Sequence, residues 1–388
     1  MLDHLKGLRV VDATTIVMGP MATQILGDLG AEVIKLETPQ GDLARASGSA
    51  GPGGMGALFA NNNRNKISLA LDLKQPGAQE VLARLLASAD VVVHNMRPAA
   101  AEKLGLGYAA ARAANPAVVH CAATGFGSGG PYAGRAAYDD VIQAASGLAG
   151  LAVETAGAPA FVPSIMADKI AALHVVYAIL AALLRRQATG EGASIEVPMF
   201  EVMAAFLMNE HLDAASFDAE GAPGYGRLLT PHRKPHRTAD GWLAVMPYDA
   251  GHWRRTLAIV GAGHVAEEPW FADPAERNRR SADLYALIGA ALPSQPTAHW
   301  VAAFADADVP HAQVAGLGDL LSDPHLAAQG FFTPTDGLPG RVRSVPQPVR
   351  FSGAAATPDR PPPGLNGGGE ALLRGLGISP EEIARLIG

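Results

Sequence analysis

Residues 8–37, LRVVDATTIVMGPMATQILGDLGAEVIKLE, carry the pattern that decides the fold. LRVVDAT is a short apolar run, GPMATQILGDLGA has the length of a helix, and EVIKLE returns to a strand-like run, which together read as a βαβ unit. The rhythm continues with helix-like PGAQEVLARLLASA at 76–89 and strand-like DVVVHN at 90–95 and AVVHCAAT at 117–124. Short continuous apolar strands separated by helices predict an α/β fold with a parallel sheet covered on both faces. Residues 140–188 read as mostly helical, and ASIEVPMFEVMAAFLMNEHL at 193–212 reads as a strand followed by a helix.

A chain of 388 residues suits a large domain with a smaller one inserted. The composition shifts after residue 213, where DAEGAPGYGRLLTPHRKPHRTADGW is rich in Gly, Pro and basic residues. We expect a large domain at 1–224 and 326–388 and a small α+β domain at 225–325. SDPHLAAQGFF (322–332) then returns to the large domain and leads into a strand-and-turn region. GAAATPDRPPPGLNGGG (353–369) reads as a loop or extended arm. ISPEEIARLIG ends the chain as a helix with Ser379 and Glu382 at capping-box spacing and Pro380 at its first position.

The net charge of −7 and pI near 5.9 give no overall basic field for a nucleic-acid backbone or an anionic membrane, so anionic ligands need local cations. The single cysteine, Cys121, excludes an intrachain disulfide framework and suits a reducing compartment. MLDHLKGLRVVDAT enters a strand-like run directly, without the start of a secretory signal. The longest apolar segment, 170–184, is interrupted by His174 and followed by Arg185 and Arg186, short for a membrane span. A soluble, cytoplasmic protein is expected.

Several motifs compete for the chemistry. Glu37 ends the second strand where a ribose-binding acid would lie, but the turn TTIVMGPMA lacks the glycines that let a pyrophosphate approach. That glycine pattern occurs instead in GFGSGG (Gly125, Gly127, Gly130), yet Pro131 and YAGRAAYDD follow rather than an apolar helix, so it reads as a turn lining a pocket. Cys121 lies in an apolar run, where a buried inert thiol is the natural state. Phe126 breaks a nucleophile elbow around Ser128, and Pro235 breaks a helical pair of His232 and His236, so no metal site is expected. The run RLLTPHRKPHRT (227–238) is either a solvated loop or a local anion site. In PSIMADKIAALHVVYAILAALL (163–184), Ile170, Leu173, Val176, Tyr177, Leu180 and Leu184 form the expected core face of a helix. Asp168 and Lys169 sit in its first turn, where on spacing alone Asp168 complements the helix dipole.

Five segments taken together resemble the family III coenzyme A transferases, which include formyl-CoA transferase and the carnitine CoA-transferases. They are LKGLRVVDATTIVMGPMATQILGDLGAEVIKLE, NRNKISLALDLKQPG, ADVVVHNMRPAAAEKLGLGY, GGPYAGRAAYDDVIQAASGLA and PSIMADKIAALH, and they cover about the first 200 residues. The resemblance implies that Asp168 is a nucleophile acylated by a thioester, with CoA or acyl-CoA as substrate and no tightly bound cofactor. It also implies a CoA site formed by Val17, Met18, Leu71, Lys74, Asn95, Met96, Lys103, Tyr138 and Met199. Lys74, Lys103 and Arg135 would meet phosphates there. It further implies a Rossmann-like large domain and an interlaced homodimer. Three departures bear on formyl-CoA and oxalate as substrates. Val17 stands where formyl-CoA transferase has glutamine, Thr38 replaces an arginine, and the glycine loop has no counterpart near residue 250.

The expected activity is CoA transfer between a short-chain acyl-CoA and a small carboxylic acid. The basic residues His232, Arg233, Lys234, His236 and Arg237 suggest a dicarboxylate such as succinate, mesaconate or itaconate. An α-methylacyl-CoA racemase is the alternative. It needs two proton-transfer groups, and the histidine of that family is replaced here by Tyr138, a poor base at neutral pH. A CoA-binding protein without turnover would not need Asp168.

Overall fold

In the computed structural model, which describes residues 1–332 and 343–387, the chain packs as two compact units. The first comprises Met1–Ser146, Val162–Ala205 and Ala327–Gly388, and the second Gly147–Phe161 and Phe206–Leu326. The second unit therefore takes in 147–161 and 206–224, segments that composition had grouped with the large domain.

The first unit is built on six parallel strands: β1 (Arg9–Ala13), β2 (Glu32–Glu37), β3 (Lys66–Ala70), β4 (Val91–His94), β5 (Val119–Thr124) and β6 (Ala193–Pro198). Their order is β3-β2-β1-β4-β5-β6, the doubly wound arrangement. Val10 stands in register between Val33 of β2 and Val91 of β4, and the central strands are buried, as their unbroken apolar runs require. The helix α1 (Met18–Asp28) follows β1 directly. Strand order reverses between β1 and β4, so a crevice opens at their carboxyl ends.

Beneath that crevice lies a buried ionic network. Lys66 Nζ is 2.9 Å from Asp12 Oδ2, and Lys35 Nζ is 2.9 Å from Asp42 Oδ2, all four side chains being fully buried. Thr23 donates to Asp12 Oδ2 at 2.7 Å, and Lys66 also donates to the Pro20 carbonyl and Asn63 Oδ1. Burial would raise the Asp12 carboxyl, but Lys66 and Lys35 hold it well below the usual carboxylate range. Burial draws Lys66 down to about 8 against the pull of Asp12.

The Pro/Gly arm docks on its own unit. Asp359 takes the Met1 ammonium at 2.9 Å and Asn65 Nδ2 at 2.9 Å, while Asn366 Oδ1 accepts from the Ala70 N–H at 2.7 Å. The terminal helix Pro380–Ile387 carries the capping box between Ser379 and Glu382. The strand-and-turn region expected after residue 332 falls partly on 333–342, outside the described residues, and 343–350 form no strand.

The second unit is α+β. β7 (His236–Arg237), β8 (Trp242–Val245) and β9 (His311–Gln313) form an antiparallel sheet, and Trp253, Phe271, Tyr285, Trp300 and Phe304 fill its core. Two residues of the supposed basic loop, His236 and Arg237, are thus ordered as strand β7, with His236 buried at 5% exposure.

The helix Met166–Thr189, hereafter the Asp168 helix, corrects one expectation. Its buried side chains include Ala167, Ala171, Ala172, Val175, Ile179 and Leu183, whereas Leu173, Tyr177 and Leu184 are 53%, 59% and 69% exposed. Apolar residues run nearly all round this helix, so periodicity could not choose the face. Alanines admit the close approach of α1, and the bulkier face is left outward. The helix is long and apolar enough to cross a membrane by length and composition, but it packs against α1, β5 and β6 as a core element.

Candidate active site

The loops after β1, β4 and β5, together with the first turn of the Asp168 helix, enclose a cavity of about 260 Å³. A second hollow of about 460 Å³ lies at the ends of β1, β2 and β3, and Thr15 and Met96 form a wall common to both. Among the described residues, Asp168 is the one acid lining the first cavity, which it faces together with Arg97 and Arg135.

Two neighbours flank Asp168. Its N–H donates to Asp139 Oδ2 at 3.0 Å, so Asp139 caps the helix, as an acid at a helix start should. Asp139 Oδ1 in turn accepts from Gln143 Nε2 at 2.6 Å. Gln143, fully buried, accepts from the Val162 N–H at 2.9 Å and donates to the Ser164 carbonyl at 3.2 Å, stitching down the segment that leads into Asp168. On the other side Met18, whose N–H has no partner within α1 because it opens that helix, lines the same cavity as Asp168. Burial first and the neighbouring Asp139 second raise Asp168 to about 6, and the Met18 N–H opposes them. At neutral pH this side chain is therefore an ionised but poorly hydrated carboxylate, the condition for nucleophilic attack on a thioester.

A pH experiment reads this arrangement. Asp139→Asn keeps an acceptor for the Asp168 N–H but removes the like charge, so the acid limb of kcat/KM, expected near pH 6 from Asp168, moves to lower pH. A limb that stays in place would show that Asp139 does not set the ionisation of Asp168.

Of the residues singled out in the sequence, Met18, Asn95, Met96, Arg135, Tyr138 and Met199 line the Asp168 cavity. Leu71, Lys74 and Thr38 line the second hollow. Val17 and Lys103 line neither: Val17 is buried just ahead of α1, and Lys103 is exposed at the end of its helix. Asn95 spends its amide on the backbone of Thr15, accepting at 3.0 Å and donating at 2.9 Å. Gly125 and Phe126 line the cavity, but the amides of Gly127 and Ser128 are taken by the carboxylates of Glu201 and Glu196, so these two N–H groups of the GFGSGG turn are not open to a phosphate. Burial pushes the Cys121 thiol up to about 12, so it is inert. Among the described residues, no three His, Cys, Asp or Glu side chains converge as metal donors.

Sequence reasoning passed over Ile16, Arg97 and Asp139. Arg97 was detectable as the cation following Asn95 and Met96 at a strand end, and Asp139 as the first residue of a helix four positions before Gln143. Their convergence with Asp168 is tertiary and has no local signal.

The chain is similar to known proteins along nearly its whole length. The family model described as CoA-transferase family III matches residues 5–368. A probable fatty acyl-CoA transferase of Mycobacterium tuberculosis is 33% identical over 373 residues, covering 92% of this chain and 94% of that protein. A succinate–glutarate CoA-transferase of Agrobacterium fabrum is 32% identical, covering 93% and 92%. The crystal structure of a CAIB/BAIF family protein from Brucella suis superposes with a TM-score of 0.82 at 32% identity, covering 97% of this chain and 100% of that one. With its doubly wound sheet and a carboxylate at the switch-point cavity, the chain belongs to CoA-transferase family III and is an enzyme of that type.

Proposed function

We propose that the protein moves CoA reversibly between a short-chain acyl-CoA and a dicarboxylic acid, with Asp168 as the nucleophile. The observation that carries this reading is the carboxylate of Asp168, raised to about 6 by burial, at the wall of a cavity that also holds Arg97 and Arg135. Asp168 attacks the thioester carbonyl, CoA thiolate leaves, and an aspartyl acyl anhydride remains. The thiolate attacks the aspartyl carbonyl, the donor acid departs as its carboxylate, and Asp168 carries CoA as a thioester. The acceptor carboxylate attacks that thioester, and the released thiolate takes up the new acyl group, freeing Asp168. The Met18 N–H, at the α1 terminus on the wall of the same cavity, would stabilise the oxyanion when the aspartyl carbonyl is attacked.

Dicarboxylates are favoured by the two arginines. Arg135 lies 4.2 Å over the Tyr132 ring, and neither it nor Arg97 has a carboxylate partner among the described residues, leaving both for an anion. The A. fabrum relative is named for two dicarboxylates. Lys74, in the neighbouring hollow, is suited to a CoA phosphate. No tightly bound cofactor enters this chemistry, and a single buried cysteine suits a cytoplasmic setting.

Peptide mass spectrometry after mixing with a panel of acyl-CoAs and acids tests the reading. Acyl or CoA adducts on the Asp168 peptide, with turnover preferring dicarboxylic acceptors, support it. α-Proton exchange in heavy water without any adduct would replace it with a racemase, and a preference for uncharged acceptors would remove the dicarboxylate.

We further propose an interlaced homodimer, supported by the outward apolar face of the Asp168 helix. Leu184→Glu, placed on that face, is expected to shift the mass by light scattering from dimer to monomer. A dimer of unchanged stability would locate the interface elsewhere.

A further inference from the structure

The β1–α1 loop holds a residue in a conformation its side chain resists. Ile16 has φ of 73°, and the other positive-φ residues besides glycine among those described are Asn or Asp. A β-branched side chain in the left-handed region is a genuine outlier, costing on the order of 1–3 kcal/mol, and it persists only where its surroundings impose it. Here they do. The Ile16 N–H donates to both carboxylate oxygens of Asp42, at 3.1 and 3.3 Å. Asp42 is fixed in turn by Lys35 Nζ at 2.9 Å and by the Ala44 N–H at 2.9 Å, while Lys35 also holds the Thr14 carbonyl at 3.0 Å. From the cavity side, the amide of Asn95 grips Thr15 through both its N–H and its carbonyl. Three consecutive residues, Thr14 to Ile16, are thus clamped. Two residues further on, Met18 opens α1 and lines the same cavity as Asp168.

We propose that Asp42 is a positioning residue for the reaction. Locked by Lys35, its carboxylate forces Ile16 into the left-handed region and so keeps the Met18 N–H aimed at the Asp168 carboxylate. The inference rests on the reading of Asp168 as the nucleophile and adds a cause for its geometry. Glycine at position 16 would adopt this backbone without strain. With isoleucine there, the loop keeps an apolar side chain at the cavity wall, and the conformation depends on the buried ion pair.

That dependence gives a rescue experiment. Asp42→Asn leaves Lys35 unpaired and weakens the grip on Ile16. It is expected to lower kcat by about tenfold to a hundredfold, the scale of a small misplacement at a reacting centre. KM for acyl-CoA should stay within about threefold. The acid limb should move to higher pH, since the N–H that favours ionised Asp168 is no longer held. Adding Ile16→Gly should restore most of kcat and the limb, because glycine holds φ of 73° unaided. Amide hydrogen exchange of the 14–20 segment should quicken in Asp42→Asn and slow again in the double variant.

A folded Asp42→Asn enzyme with unchanged kcat and limb, or a double variant no better than the single, would overturn the proposal. A wild type that transfers CoA between no pair of substrates would instead sink the functional reading, and the exchange measurement would still report on the clamp. If Asp42→Asn does not fold, Asn95→Ala opens the outer half of the clamp and carries the same readouts. Unchanged exchange and an unmoved limb in that variant would equally overturn the proposal.

Discussion

Replacing Asp168 by alanine is expected to remove CoA transfer by a factor of about a thousand or more, because the proposed covalent route loses its nucleophile. The loss should appear in kcat with each donor and acceptor, while acyl-CoA binding, read by calorimetry or ligand-induced stabilisation, survives in large part. Measurable turnover with adducts on another peptide would mean that Asp168 is not the group acylated. The same site predicts a gain in stability for a neutral replacement. Asp168 is raised from 3.8 to about 6 in the folded chain, so folding disfavours its ionised form at neutral and alkaline pH. That penalty is fully present above the folded value and fades as the pH falls from about 6 towards 4. Asp168→Asn should therefore be more stable than the wild type at pH 8, by about 1–3 kcal/mol on the scale of the shift, and equal to it near pH 4. Matching urea midpoints at pH 8 would contradict the buried-carboxylate account.

The contrast between what sequence showed and what it hid follows from the range of the interactions. Strands β1, β2 and β5 bury both faces and so declare themselves as apolar runs, which made LRVVDAT, EVIKLE and AVVHCAAT readable. The order in which they pair depends on crossovers that run from 18 residues, between β1 and β2, to 68, between β5 and β6, and left no local trace. Asp168 could be placed in a first turn from sequence because a helix start is local. Its partners Met18 and Asp139 lie 150 and 29 residues away in the chain, and only the fold brings them together. The resemblance to a family pointed to Asp168 as the proposed nucleophile but could not show that Asn95 is engaged by Thr15 or that Ile16 is strained. The face of the Asp168 helix was misread for a simpler reason. Its alanines, weak as hydrophobic signals, allow the closest packing, and the larger Leu173, Tyr177 and Leu184 point outward.

Asp12→Ala is expected to cause the largest loss of stability, about 3–5 kcal/mol, because it strands a fully buried lysine. Asp12 sits in the central strand, and Lys66 reaches it from β3 with no solvent available to take its place. The Lys66 ammonium, already drawn to about 8 by burial, would then lose the charge that most opposes its deprotonation. Its folded pKa would fall further below the unfolded value of 10.5, so the folded state would bind fewer protons than the unfolded one. The stability of Asp12→Ala should consequently rise as the pH is increased from 7 to 9, which denaturant titrations at the two values can read. Removing both partners, as Asp12→Leu with Lys66→Met, should cost much less than the sum of the single changes, since no stranded charge remains. Additive losses would show that the two side chains contribute independently rather than as a pair. Lys35 acts on Asp12 while pairing with Asp42, so the damage should also reach the β1–α1 loop. The Asp12→Ala molecules that remain folded should then show the lowered kcat and shifted acid limb expected of the Asp42 variant, in milder form.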